Sequence, residues 1–289
     1  MQPRAALKAL LALAGALAAG ALACGCGSGG PGAALDPVAN AAETTNHADG
    51  ARVALQIAVT AGGVPQQITI DSTGHLQFKG QEGELAMQLN GVPGAAAGGL
   101  GEGGTITERF VGGKMFMSSA AFAGKLPAGA SWIELDLAAA EKKLGLDPNA
   151  LSSGQSNPAQ FLEYLRASGG TAIVTGTERV RGVETTRYRG TIDLEKVPGA
   201  DSPAAKQAID GIVAATGTST IPVQAWVDSR KLIRKFSLAM PLSLGGQHIE
   251  TNISEEFFDF GPQPPVQAPA GSETYELPTS GLGSLGAGA

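Results

Sequence analysis

Short segments in which apolar and polar residues alternate restrict the fold of this chain more than any other feature. In RVALQIAV an apolar residue stands at every second position from Val53 to Val59, and ELAMQLN repeats the pattern from Leu85 to Leu89. A period of two places successive side chains on opposite faces of a strand, so the pattern predicts half-buried antiparallel strands. Similar segments continue through SWIELDL, IPVQAWVD and HIETNISEEFFDF, which predicts one sheet wide enough to curl.

Two longer helices are predicted between the strands, besides a helical turn or two at residues 138–144. Asn157-Pro158 combines an N-cap residue with proline at the first helical position, and Phe161 and Leu165 follow on one stripe. Residues 202–215 form the second predicted helix. Because a sheet with one apolar face must bury that face, we expect the helices to cover its concave side. The predicted fold class is α+β, a curled antiparallel sheet in the form of a half-open barrel with a few short helices over the concave face.

Turn signals divide the alternating segments. Asp71-Ser72-Thr73-Gly74 predicts a hairpin turn between QQITID and HLQFKG, and Gly112-Gly113 predicts another between TITERFV and KMFMSS. The three acids of SEEFFDF, residues 254–260, interleave with aromatic residues at the end of a predicted strand. We interpret these acids as a solvated edge of the sheet.

The first residues have the composition of an export signal. Arg4 and Lys8 give a basic start without acids, and residues 9–23 form an apolar run of Ala, Leu and Gly before a cysteine. The run is shorter than the roughly 20 apolar residues that a membrane-spanning helix needs. The stretch resembles the lipobox of bacterial lipoproteins, in which small residues precede a cysteine that is lipidated and becomes the mature N-terminus.

Two cysteines fit the lipidated position. Small residues precede both Cys24 and Cys26, and we favour Cys26 because the Gly-Ser-Gly-Gly after it leads into a flexible tether, with Cys24 as the alternative. Several acyl chains on one residue give stable anchoring, since each buried CH₂ contributes about 0.8 kcal/mol. The predicted organisation is a signal peptide over 1–25, a tether over 26–50, a domain over 51–261 and a disordered tail over 262–289.

Charge and histidine content argue against several function classes. The net charge of −6, with no run of Lys or Arg after the signal, disfavours nucleic-acid binding. The three histidines, His47, His75 and His248, stand far apart in the sequence, and no Gly-x-Ser-x-Gly elbow occurs. Without a nucleophile beside a base or a spaced set of ligands, we predict a non-enzymatic protein with no cofactor and no metal.

Two longer segments carry a family resemblance. FLEYLRASGGTAIVTGTERVRGVETTRYRGTIDLEKV and IPVQAWVDSRKLIRKFSLAMPL resemble recurrent segments of actinobacterial lipoproteins of the LppX/LprG type. With the lipobox and the earlier strands, the resemblance covers roughly residues 51–261. It implies the LolA/LolB-like class, a half-open antiparallel barrel plugged by helices, with a hydrophobic cavity between sheet and helices. It also implies binding and transfer of lipids or lipid-like molecules in the cell envelope.

The predicted partners follow from this resemblance. They are a lipid or lipoglycan ligand, the membrane through the N-terminal anchor, and an envelope transporter or regulatory protein, with no nucleic acid and a monomeric state. We expect the chain to lie on the outer face of the cytoplasmic membrane. The alternative is a sensory or regulatory envelope lipoprotein that uses the same fold to bind a protein partner.

Candidate lining residues of the cavity are the apolar side chains of the alternating strands and of the first predicted helix. Sequence alone leaves open whether each of them belongs to a filled core or to an open pocket. The candidates are Val53, Leu55, Ile57, Ile68, Ile70, Leu76, Phe78, Leu85, Met87, Leu89, Phe110, Met115, Met117, Phe161, Leu165, Trp226, Phe236 and Leu238.

Overall fold

The chain was analysed as a computed structural model. The structure describes residues 37–61, 67–80, 82–91, 104–122, 124–127, 129–139, 172–196, 200, 203–244 and 247–277. The predicted helix that contains Phe161 and Leu165 lies outside these residues, as do Cys24 and Cys26. None of the helices in the described part of the chain is both long and apolar enough to span a bilayer.

The described residues form one sheet of twelve strands with two α-helices and three short 3₁₀ turns. The strands are β1 (Gly50–Ala61), β2 (Ile68–Gln77), β3 (Glu82–Asn90), β4 (Thr105–Val111), β5 (Lys114–Ser119), β6 (Trp132–Asp136), β7 (Ile173–Val180), β8 (Val183–Asp193), β9 (Thr220–Asp228), β10 (Ile233–Leu244), β11 (Gln247–Phe258) and β12 (Thr274–Glu276). The helices are α1 (Pro37–Asn46) and α2 (Pro203–Thr216), and the 3₁₀ turns are Ala120–Phe122, Leu194–Lys196 and Gly271–Glu273.

The sheet is open and almost entirely antiparallel. Its strand order is β12-β6-β5-β4-β3-β2-β1-β11-β10-β9-β8-β7, so the two edges, β12 and β7, do not pair with each other. Strands that follow one another in sequence are neighbours from β1 to β6 and from β7 to β11, and the pairing of β1 with β11 joins these two halves. The short pairing of β12 with β6 is parallel.

The core shows that the sheet curls around its helices. Val38, Ala41 and Ala42 of α1 are buried in one cluster with residues from six strands, β1, β2 and β8 to β11. In the sheet, four strands separate β2 from β8. A single cluster around one helix therefore requires a curved sheet, and α2 covers the same side because it contacts β10. The predicted fold class, a curled antiparallel sheet with a few short helices, is confirmed.

Two tight hairpins have backbone conformations that glycine favours. Gly112 and Gly113 between β4 and β5 have φ values of 62° and 74°, and Arg181 and Gly182 between β7 and β8 have 47° and 81°. Consecutive positive φ values are the signature of the two-residue turn that matches strand twist. The turn predicted at Gly112-Gly113 is thus confirmed.

The turn predicted at Asp71-Ser72-Thr73-Gly74 is wrong, because β2 runs without interruption through all four residues. The alternation of faces continues in phase through this stretch, and pairing with β1 and β3 on either side overrides the local turn preference. Glycine is required at position 74 because there is no room for a side chain, and not because the chain turns there. A Cβ on it would lie 1.9 Å from the carbonyl oxygen of Glu84 on β3.

The structure extends the predicted domain at both ends. In the segment predicted as a tether, α1 begins at Pro37, a residue suited to the first helical position, and its Thr45 hydroxyl accepts a hydrogen bond of 2.9 Å from the Ile233 amide. In the segment predicted as a disordered tail, residues 262–277 cross to the far edge of the sheet. Gln77 donates a hydrogen bond of 2.8 Å to the Pro264 carbonyl, and Val266 is buried. Both segments are held by contacts between residues distant in sequence, which local composition does not reveal.

Candidate functional site: the concave face of the sheet

Cross-strand register assigns each strand residue to one face of the sheet, because directly opposed residues project to the same side. Val53 of β1 is opposed to Phe257 of β11, and both belong to the cluster that contains Val38 of α1. We call this helix-bearing side the concave face and the opposite side the outer face. On β1 the concave face carries every second residue from Ala51 to Val59.

One group of the predicted lining residues belongs to the filled core. Phe236 stacks on Phe257 with ring centroids 6.1 Å apart, and Phe110 forms a second cluster with Met115 and Leu135. Side chains buried to this extent leave no room for a ligand without rearrangement. The members of the predicted set that are buried on the concave face are Val53, Leu76, Phe78, Phe110, Met115, Phe236 and Leu238.

A second group lies on the concave face and is only half-buried. These side chains come from β1, β2, β3 and β5. In the strand order these strands lie towards the β12 edge, whereas α2 contacts β10 in the other half of the sheet. The sheet therefore carries a band of apolar side chains that the helices do not fully enclose, in contrast to the closed core beside it. Its members in the predicted set are Leu55, Ile57, Ile68, Ile70, Leu85, Met87, Leu89 and Met117. We call this set the apolar band.

Trp226 does not belong to the concave face, and its prediction as a lining residue is wrong. It is opposed to Arg187 and Lys235, and its indole nitrogen donates a hydrogen bond of 2.9 Å to Glu178. An irregularity in the register between Ile233 and Lys235 accompanies this placement. The tryptophan is buried on the outer face under charged side chains, where its polar edge is satisfied. Phe161 and Leu165 lie outside the described residues.

Glu255 places a carboxyl group on the concave face. It is opposed to Leu55 on β1 and to Phe236 on β10. Ile253 and Phe257 lie two positions away on the same strand and the same face. No described residue pairs with this carboxyl, and burial raises its pKa from 4.5 to about 8. The side chain is half-buried by surface area, so part of it remains accessible.

Glu108 repeats this arrangement on β4. It is opposed to Leu85 on β3 and to Met117 on β5, and Ile106 and Phe110 flank it along the strand. Burial raises its pKa from 4.5 to about 7, and again no described residue pairs with it. Two carboxyl groups therefore interrupt the apolar concave face, each with apolar neighbours on all four sides.

Two hydroxyl groups on the same face are buried without a hydrogen-bond partner among the described residues. Ser72 is opposed to Leu55 and to Met87, and Thr251 is opposed to Val59. Each residue is 1% exposed, and in the described part of the chain nothing hydrogen-bonds to either hydroxyl oxygen. A buried polar group without a partner is destabilising by about 1–3 kcal/mol, so such groups call for an explanation.

These four polar residues were missed by the sequence interpretation. SEEFFDF was interpreted as a solvated edge, which is wrong for Glu255, although the alternation from Ile253 to Phe257 places this residue on the apolar phase. Glu256 has the expected outer position, with Arg181 at 2.8 Å and Lys235 at 3.8 Å from its carboxylate. The alternation of residues along the strand could therefore have predicted that Glu255 faces inward. Its acidic side chain, considered alone, suggested that it faces solvent.

Other surfaces formed by the described residues are weaker candidates for a binding site. A cavity of about 390 Å³ on the outer face is lined mainly by small residues and amides such as Gln56, Gln224 and Asn252. No group of three or more His, Cys, Asp or Glu side chains in the described part of the chain is placed to hold a metal ion. The concave face remains the candidate site.

Comparisons with known proteins find similarity at low identity. No family model matches. An uncharacterized 31.2 kDa protein of Streptomyces griseus, from the rplA-rplJ intergenic region, is 30% identical over 125 residues, which is 42% of this chain and 39% of that protein. The chain thus matches about two fifths of the length of this curated relative.

Solved structures similar to this chain include two mycobacterial proteins, the lipoprotein LppX and LprF. LppX of Mycobacterium tuberculosis is 14% identical, with a TM-score of 0.43, over 80% of this chain and 96% of that chain. LprF of Mycobacterium bovis is 11% identical, with a TM-score of 0.44, over 81% of this chain and 96% of that chain.

Proposed function

We propose that this chain is a membrane-anchored extracytoplasmic lipoprotein that binds a lipid or lipid-like molecule between its sheet and its helices, for transport or chaperoning in the cell envelope. The observation that carries the proposal is the apolar band. Half-buried apolar side chains on the concave face of a curled sheet lose water contact when an apolar ligand covers them. Such burial contributes about 25 cal/mol for each Å² removed from water.

The composition of the band suits a hydrocarbon ligand. Ligand cavities are lined mostly by apolar side chains with a small number of placed polar groups, and here Glu255 and Glu108 supply the polar groups. Met87 and Met117 add unbranched, polarisable side chains that adapt to chains of different shape. Lipidation at Cys26, or at Cys24, would hold the domain at the outer face of the cytoplasmic membrane, close to a source of lipid.

A matched pair of substitutions on one strand tests this proposal. Met87 lies on the concave face of β3, and the adjacent Gln88 is exposed on the outer face. We expect Met87→Asp to lower the affinity for a fluorescent fatty-acyl probe by about tenfold or more, because a negative charge in an apolar site beside the Glu108 carboxyl is unfavourable. Gln88→Asp should leave the affinity unchanged. Equal probe binding by both variants and the parent chain would place the ligand elsewhere.

One observation favours a second function, the binding of a protein partner by a regulatory lipoprotein. Ile173 and Val174, at the start of the edge strand β7, are 58% and 62% exposed. An unpaired edge with exposed apolar residues can accept a strand from another chain. Substitution of both residues by threonine should then abolish a partner interaction and leave binding of the fatty-acyl probe unchanged.

A further inference from the structure

The two inward carboxyl groups have no basic residue opposed to them on the neighbouring strands. Among the described strands the concave phase includes the exposed Arg179, which is opposed to Glu184 at the β7 edge of the sheet. Each carboxyl group has apolar neighbours on both sides along its strand and on both adjacent strands. Neither carboxyl has an ion pair or hydrogen bond among the described residues. Their polar atoms are therefore available to a ligand that covers the apolar band.

Ser72 connects the two carboxyl positions. In the strand order it lies two strands from Glu255, through Leu55, and two strands from Glu108, through Met87 or Leu85. Neighbouring strands are about 4.8 Å apart, so the Glu255 position is about 10 Å from Ser72 along the sheet. Glu108 is also displaced by two residues along its strand, so its position is about 12 Å from Ser72. The Ser72 hydroxyl is buried and has no hydrogen-bond partner among the described residues, which is an independent sign of a missing polar contact at this place.

We propose that Glu255, Ser72 and Glu108 form a polar subsite within the apolar band, selective for amphiphiles whose polar groups are uncharged, such as the hydroxyl, ester or glycosyl groups of a neutral lipid. This inference rests on the proposed function and deepens it. A protonated carboxyl group both donates and accepts a hydrogen bond, and a serine hydroxyl does the same. The two carboxyl positions lie four strands, or about 20 Å along the sheet, from each other, so the three groups can satisfy hydroxyl, ester or glycosyl groups at separate points along one extended amphiphile.

Charged polar groups are disfavoured at this position for physical reasons. A phosphate would bring negative charge beside two acidic groups that have no described cation to offset it, which is unfavourable in a site of low dielectric constant. An ammonium group would have to lose its hydration shell and ionise a carboxyl group within apolar surroundings, a costly exchange. An uncharged polar group requires neither step.

The test compares three lipids with the same acyl chains on the purified protein at about pH 6, below the raised pKa values of both carboxyl groups: diacylglycerol, phosphatidic acid and a lipid with a terminal amine. Affinities are measured by displacement of the fluorescent fatty-acyl probe. We expect the parent chain to bind diacylglycerol at least tenfold more tightly than either charged lipid, which is about 1.4 kcal/mol. Glu255→Leu and Glu108→Leu should each weaken diacylglycerol binding and reduce this preference.

Two further variants separate hydrogen bonding from folding. Glu255→Gln retains donor and acceptor capacity, so its preference for diacylglycerol should persist. Glu256→Gln removes an outer-face carboxylate on the same strand and should behave as the parent chain. Equal binding of the three lipids, a preference for the amine lipid, or an unchanged preference in the leucine variants would overturn the subsite, with the apolar site intact. Binding of none of the lipids or the probe would overturn both proposals.

Discussion

Replacement of Glu255 by glutamine should make the folded protein more stable at neutral and alkaline pH. The carboxyl group ionises near pH 4.5 in a solvated environment and near pH 8 in the folded protein, because burial disfavours its charged form. Below the lower value the group is protonated in both the folded and the unfolded chain and carries no penalty. As pH rises through this interval, the unfolded chain gains from ionisation and the folded chain does not, so stability is lost.

The magnitude follows from the same interval. Each pH unit between the two values contributes about 1.4 kcal/mol, so the penalty grows to about 3 kcal/mol at neutral pH and to at most about 5 kcal/mol above pH 8. Glutamine keeps the shape of the side chain and cannot ionise. The free energy of unfolding of the variant should therefore exceed that of the parent chain by an amount that increases with pH.

Urea denaturation at about pH 5, 7 and 9 measures this difference. Glu256→Gln is the control, because it removes a carboxylate that pairs with Arg181 and Lys235 on the outer face. That variant should lose a fraction of a kilocalorie and show no increasing advantage with pH. If the curves for Glu255→Gln and the parent chain stay parallel over the whole range, the carboxyl is not enclosed and the inward placement is refuted.

Three further substitutions test the framework of the site. Thr45→Val removes the acceptor of the Ile233 amide and should lower the free energy of unfolding by about 1–3 kcal/mol in urea denaturation, because it leaves a buried donor unpaired. Asp228→Ala leaves the buried Arg234 guanidinium without its partner at 2.7 Å, and a loss of about 3–5 kcal/mol is expected by the same method, whereas a loss below about 1 kcal/mol would contradict that role. Phe257→Ala deletes a fully buried ring and should lower the free energy of unfolding by about 3–5 kcal/mol, seen as a lower thermal midpoint, and an unchanged midpoint would refute its place in the core.

The sheet was predictable because its strands are regular. Alternation over seven or more residues marked β1, β3 and β11, and the two consecutive glycines marked the turn between β4 and β5. The turn predicted at Asp71-Ser72-Thr73-Gly74 was wrong because the prediction relied on turn-favouring residue types and not on the alternation of faces along the strand. Ser72 and Gly74 continue the concave phase between Ile70 and Leu76, and pairing on both sides holds the segment extended.

The site was less predictable because side chains on the same face of one strand differ in what covers them. Val53 and Leu55 have the same pattern in sequence, yet Val53 packs under α1 and Leu55 remains half-buried. That difference depends on where the helices lie, and α1 was itself interpreted as a tether. The inward carboxyls escaped because acidic residues usually lie in solvent, although their phase along the strands was visible.

Native mass spectrometry of the protein purified from a bacterial host, with extraction and identification of any bound lipid, measures lipid binding on the concave face directly. We expect a complex with one lipid that survives gentle desalting, is lost in Leu55→Asp and is retained in the outer-face control Gln56→Asp. A bare protein mass that takes up no lipid offered in excess, in a chain that is correctly folded, would contradict this expectation.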